Sequence, residues 1–137
     1  MKKVLLAILS SCIMLMAAPV YAADIFDALE GLTSEQRQEM SNIYNSYKIK
    51  NNELLMQILS YTDKIANLKL NSNKTQEQIS LIAGVYEKNI ATLKNQQALL
   101  AKETEALYKL ILNDKQYKQY QALQLKAQDA FSNFLNK

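Results

Sequence analysis

Two long stretches of this chain place residues at spacings that alternate between four and three, apolar except for Asn51 in the first and Gln97 and Thr104 in the second. The first runs Met40, Tyr44, Tyr47, Asn51, Leu54, Ile58, Tyr61, Ile65, Leu68. The second runs Ile79, Ala83, Tyr86, Ile90, Leu93, Gln97, Leu100, Thr104, Leu107, Ile111. A strand repeats every second residue, so this pattern excludes a sheet built from either stretch. A sustained period of 3.5 calls for a long helix packed on a neighbour in coiled-coil fashion. The first helix, from about Ser34 to Leu70, would be roughly 50 Å long at 1.5 Å per residue. A short polar turn, Asn71-Ser72-Asn73-Lys74, joins two helices of nearly equal length. An antiparallel helical hairpin is the natural arrangement, and it is too long for a compact bundle. Gly84 sits inside the second helix, where glycine costs about 1 kcal/mol relative to Ala. It marks either a close helix approach or a bend.

Three helix starts are written locally. Thr33 with Gln36, Thr75 with Gln78 and Asn113 with Gln116 each pair an N-cap residue with an amide at N3, forming capping boxes. Leu112 and Tyr117 add a hydrophobic staple at the third. Before the first box, Asp24 to Glu30 forms a short helical turn with Ile25, Phe26 and Leu29 on one face, ended by Gly31 at C′. After the third box a last helix reaches about Leu135. Its apolar side is Tyr117, Tyr120, Leu123, Ala127, Ala130, Phe131 and Phe134, with Leu125 off the stripe. The fold class is therefore all-α: an elongated hairpin with a short N-terminal helix and a C-terminal helix.

The first residues are a targeting segment. Met1-Lys2-Lys3 is a basic n-region, Val4 to Ala18 is apolar, and Val20-Tyr21-Ala22 offers small residues at −3 and −1. This is a secretory signal peptide, 1–22, cut after Ala22, leaving 23–137 as one domain. Val4 to Ala23 is also long enough for an uncleaved anchor, but Pro19 and the small residues favour cleavage. Leu9-Ser10-Ser11-Cys12 resembles a lipoprotein site, yet the apolar run continues past Cys12 where such a site turns polar. Cleavage removes the only Cys and the only Pro, so packing alone must hold the exported domain. It also removes Lys2 and Lys3, leaving fourteen basic against thirteen acidic residues and a formal charge of +1. That near-neutral balance gives no electrostatic footprint for nucleic acid.

Chemistry-bearing groups are sparse. There is no histidine, which excludes nucleophile–His catalysis and a His-based metal site. The closest carboxylates, Glu103/Glu105 and Glu35/Glu39, read as solvated helix surface and helix-dipole complement. No glycine-rich phosphate loop is present. The reading is not an enzyme, with no cofactor and no metal. Tyr44, Tyr47, Tyr61 and Tyr86 lie on the seams and read as core with hydroxyls at the rim. Ile43, Leu55, Leu59, Leu81, Ile82, Val85 and Leu99 exceed what a two-helix seam can use. They widen both stripes and point to an interface, most simply a homodimer.

Signal peptide, short helix, hairpin and last helix frame two related motifs. Leu32-Thr33-Ser34-Glu35-Gln36-Arg37 carries LTxxQ in full, and Leu112-Asn113-Asp114-Lys115-Gln116 carries it with Asn113 for Thr. Together these features resemble the Spy/CpxP family of periplasmic proteins. The likeness of layout spans nearly the whole exported chain, and its sequence-specific part is these two motifs. The resemblance implies a thin, curved helical dimer with a concave cradle. It implies an ATP-independent chaperone for unfolded or misfolded envelope proteins, or an envelope-stress adaptor, with no membrane insertion after cleavage. Candidate client-binding residues are then Arg37, Lys48 and Lys50 with Ile43, Leu55 and Leu59. The charges among them read equally well as solvated helix surface. The near-neutral charge departs from the strongly basic cradle of the family's best-known chaperone, and the missing histidines depart from its metal-sensing branch. The alternative function is a coiled-coil hairpin docking on one specific envelope partner. On either reading Leu32 and Leu112 should meet at one end of the hairpin, with Thr33, Gln36, Asn113 and Gln116, as structural pins.

Overall fold

The structure is a computed structural model that describes residues 25–71 and 73–136. The signal peptide over 1–22, Cys12 and Asp24 lie outside the described residues. Residues 25–28 form a helical turn, α1, followed by α2 (Ser34–Asn71), α3 (Gln76–Ile111) and α4 (Asp114–Leu135). Among the described residues there is no strand.

Each boundary follows from local chemistry. Leu29 N–H donates to the Phe26 carbonyl at 3.3 Å, and Gly31 then takes φ +71°, a left-handed conformation that glycine adopts freely. All three capping boxes form. In the first, Gln36 N–H donates to Thr33 Oγ1 and Thr33 N–H donates to Gln36 Oε1, both at 3.0 Å. Thr75 with Gln78 and Asn113 with Gln116 repeat the exchange. Each box supplies partners for amides that a helix start leaves unbonded.

The main tertiary contact is between α2 and α3. Tyr61 meets Tyr86 near the turn, Asn51 meets Gln97 halfway, and Gln36 reaches the Ile111 carbonyl at the far end. The order of partners is reversed, so the two helices run antiparallel. The seam on α2 holds: Met40, Tyr47, Asn51, Ile58 and Ile65 are buried. On α3 it holds through Thr104 and then shifts. Leu107 is 45% exposed, while Tyr108 and Leu112 are buried in its place. The reason is a change of neighbour. Up to Thr104 the helix faces α2 alone. Beyond it, successive steps of four rotate the buried side toward α1 and α4, a drift that a 3.6-residue helix makes readily.

The core is in two parts. One lies at the closed end, the base, where Ile25, Phe26, Leu29, Met40, Tyr108, Leu112 and Tyr120 are buried together. The other lies toward the turn and holds Leu55, Ile58, Ile65, Ala83, Ile90 and Leu93. Near the turn, Lys64 Nζ sits 5.0 Å from the Tyr61 ring and 5.9 Å from the Tyr86 ring, a cation over two aromatic faces. The contact of α4 is confined to its first part: Gln116 and Tyr120 are buried and Leu123 and Ala127 partly so. Further on, Ala130 and Phe134 are exposed and Phe131 is partly buried, so the described residues leave much of the apolar side expected there uncovered.

Gly84 marks no close approach. Nothing lies within 4 Å of where its Cβ would sit, and α3 continues through it as one helix. Gly84→Ala is therefore expected to stabilise the fold by about 0.5–1 kcal/mol. The shift should appear in the urea midpoint with an unchanged slope.

Candidate functional site

The two motifs meet. Leu32 packs against the base core, to which Leu112 belongs. The N3 glutamines, whose local task is capping, go further. Gln36 Nε2 donates to Gln116 Oε1 at 3.0 Å and to the Ile111 carbonyl at 2.9 Å. Gln116 Nε2 donates to the Gly31 carbonyl at 3.1 Å, and more weakly to Gln36 Oε1 at 3.4 Å. Each amide thus completes its own helix start and supplies a proton to the chain that leads into or out of the other motif. The acceptor at Ile111 is one of the end carbonyls that α3 leaves without an intrahelical partner. Sequence reasoning found both glutamines as caps and missed this long-range half. The signal available was that both N3 positions carry Gln, whose NH₂ remains free after the capping bond is made.

Aromatic rings fill the space beneath the motifs. Phe26 meets Tyr108 edge-on with centroids 5.2 Å apart, and Tyr108 meets Tyr120 at 5.5 Å. Burial pushes the Tyr108 and Tyr120 phenols well above the usual tyrosine range, with neighbouring tyrosines adding to the shift. Both stay neutral at physiological pH and act as packing groups. Tyr108, the most buried tyrosine of α3, was absent from the expected seam because the change of register at Thr104 has no mark in a single sequence.

The candidate client-binding residues separate into three environments. Arg37 Nη1 contacts Asp27 Oδ1 at 2.9 Å, and both side chains are at least half exposed. This ties α1 to α2 weakly, as exposed pairs do. Leu55 lies in the second core at 9% exposure, so it is not available to a client on the closed hairpin. Leu59, Lys48 and Lys50 are exposed, and Ile43 is partly buried against the base core. Ile43 and Lys50 come together. They line an open groove between α2 and α3 of about 270 Å³, with Tyr47, Leu100, Glu103 and Leu107. An adjoining groove of about 330 Å³ shares Lys50, Leu100 and Glu103.

Part of the remaining apolar surface is ordered along α3. Leu81, Val85, Leu99 and Leu110 are all exposed, and their offsets fall near one, five and eight helical turns. They form a single line along the helix. On α2, Ile49 and Met56 are exposed two turns apart.

Compared with known protein families, curated proteins and solved structures, the chain matches none. Among the described residues, no group of three or more His, Cys, Asp and Glu is placed to hold a metal ion. No helix of the described residues is long and apolar enough to cross a membrane.

Proposed function

We propose that this chain is a periplasmic, ATP-independent chaperone or envelope-stress adaptor of the Spy/CpxP type, exported by cleavage after Ala22 and working as a homodimer. The observation that carries the reading is the exposed apolar line Leu81, Val85, Leu99, Leu110 on a long helix with a largely polar, charged surface. Such a line offers small, spaced patches. Small patches hold an unfolded chain reversibly, and dispersed charge speeds its encounter without selecting a sequence. The meeting of the two LTxxQ-type motifs supports the family resemblance, because it gives both glutamines a shared structural task.

The test uses the mature chain, 23–137. It is expected to sediment as a dimer at micromolar concentration and to suppress aggregation of an unfolded client at near-stoichiometric ratio without nucleotide. Leu81→Asp/Leu99→Asp should weaken suppression while changing monomer stability little, since both side chains are exposed. Absence of suppression at every salt concentration defeats the chaperone reading. Capture of one dominant periplasmic partner, in place of many weakly held clients, supports the docking alternative.

A further inference from the structure

The two cores of the hairpin are separated by a layer that belongs to neither. Its buried members are Tyr47 and Asn51 on α2 and Gln97 and Thr104 on α3. Gln97 Nε2 donates to Asn51 Oδ1 at 3.0 Å, with the two residues 0% and 2% exposed. Thr104 donates its hydroxyl proton back to the Leu100 carbonyl at 2.8 Å, so it has no proton left to donate to the partner helix. Gln97 Oε1 is buried with no hydrogen-bond partner among the described residues. The two adjoining open grooves lie at this same level, so the helix pair is incompletely filled beside the layer.

We propose that this polar layer is a joint, across which the half of the hairpin nearer the turn opens as a unit while the base stays folded. A buried amide pair in an otherwise apolar seam fixes helix register but weakens the packing. An unpartnered buried oxygen adds a desolvation penalty that opening relieves. The two apolar clusters stop on either side, with the Tyr47 ring the buried apolar group between them: Met40 and Tyr108 belong to the base core, Leu55 and Leu93 to the other. The base is held by four helical elements, its aromatic cluster and the Gln36–Gln116 amides. Among the described residues, the half toward the turn has two helices on each other and no third element, and helices draw most of their stability from such packing. The helices are continuous through the layer, so opening requires only that the turns beyond it separate and fray. The joint stands independently of the proposed function.

The test is amide hydrogen exchange of the folded mature chain in low urea, where local and global openings are distinguishable. Helical amides of α2 and α3 within about 55–94 are expected to exchange through one shared opening, at least about tenfold more frequent than that of the base amides. Asn51→Leu/Gln97→Leu should make the seam continuous and slow the first group toward the second. Ile25→Val, in the base core, should speed the base amides about threefold to tenfold and leave the 55–94 group unchanged. The proposal is overturned if both groups share one rate in the unmodified chain. It is equally overturned if Ile25→Val speeds both alike, or if the double substitution leaves the gap as it was.

Discussion

Phe26→Ala is expected to cost about 3–5 kcal/mol of unfolding free energy, the range for emptying a buried aromatic site. Phe26 is 7% exposed and stands where all four helical elements meet. Its ring is edge-on to Tyr44 of α2 at 6.3 Å and to Tyr108 of α3 at 5.2 Å. It stacks at 29° on Tyr120 of α4, at 6.4 Å. Ring pairs of this kind add about 0.5–1.5 kcal/mol beyond the area they bury. The surroundings have little freedom to close the gap. Tyr120 is already engaged with Tyr108 and with Tyr117, and Met40 is fully buried beside them. A single helical turn such as α1 has no stability of its own, so it is docked through Ile25, Phe26 and Leu29 or not at all. Urea unfolding of the mature chain, followed by far-ultraviolet circular dichroism since there is no Trp, measures the loss. Phe26→Leu should lose appreciably less. A loss below about 1 kcal/mol for Phe26→Ala would show that α1 lies outside the cooperative unit.

What the sequence revealed, and what it hid, divides along a physical line. Properties set by residues near in sequence were legible: the three capping boxes, the stop at Gly31 and the long helices with their 3.5-residue seam. The meeting of the motifs was also legible, because equal helices joined by a short turn must return to their starting end. Properties set by contacts between distant segments were not. Leu55 exceeds what the 3.5-residue seam needs and yet is core, because its rotation about α2 depends on where α3 sits. Leu107 and Tyr108 exchanged roles for the same reason, once α1 and α4 became neighbours. The polar break in the core was visible as Asn51 and Gln97 on separate seams. That they are partners required the register of the hairpin, and that Gln97 Oε1 is left without one required side-chain geometry.

Gln116→Leu keeps the volume of the side chain and removes only its amide, and it is expected to destabilise the fold by about 2–3 kcal/mol. Gln116 is itself 5% exposed, so the bonds it makes end in a largely buried amide. The Asn113 N–H loses its acceptor at 3.1 Å and the Gly31 carbonyl its donor at 3.1 Å. Gln36 Nε2 keeps the Ile111 carbonyl but loses Gln116 Oε1. Each buried polar group left unpaired costs about 1–3 kcal/mol, reduced where water can reach it, and Asn113 and Gly31 are themselves exposed. The internal control is Gln78→Leu. Gln78 makes the same capping exchange with Thr75 but lies exposed near the turn, with no bond across the fold. Its loss removes only the returning half of a capping box, expected to be worth less than about 1 kcal/mol. In the cycle with Gln36→Leu, the two glutamines should couple by about 0.5–3 kcal/mol, as groups in one hydrogen-bonded network do. If Gln116→Leu costs no more than Gln78→Leu, the motifs are helix punctuation only. If it costs more and couples to Gln36, the second glutamine of the pair is what turns two separate helix starts into one closed end.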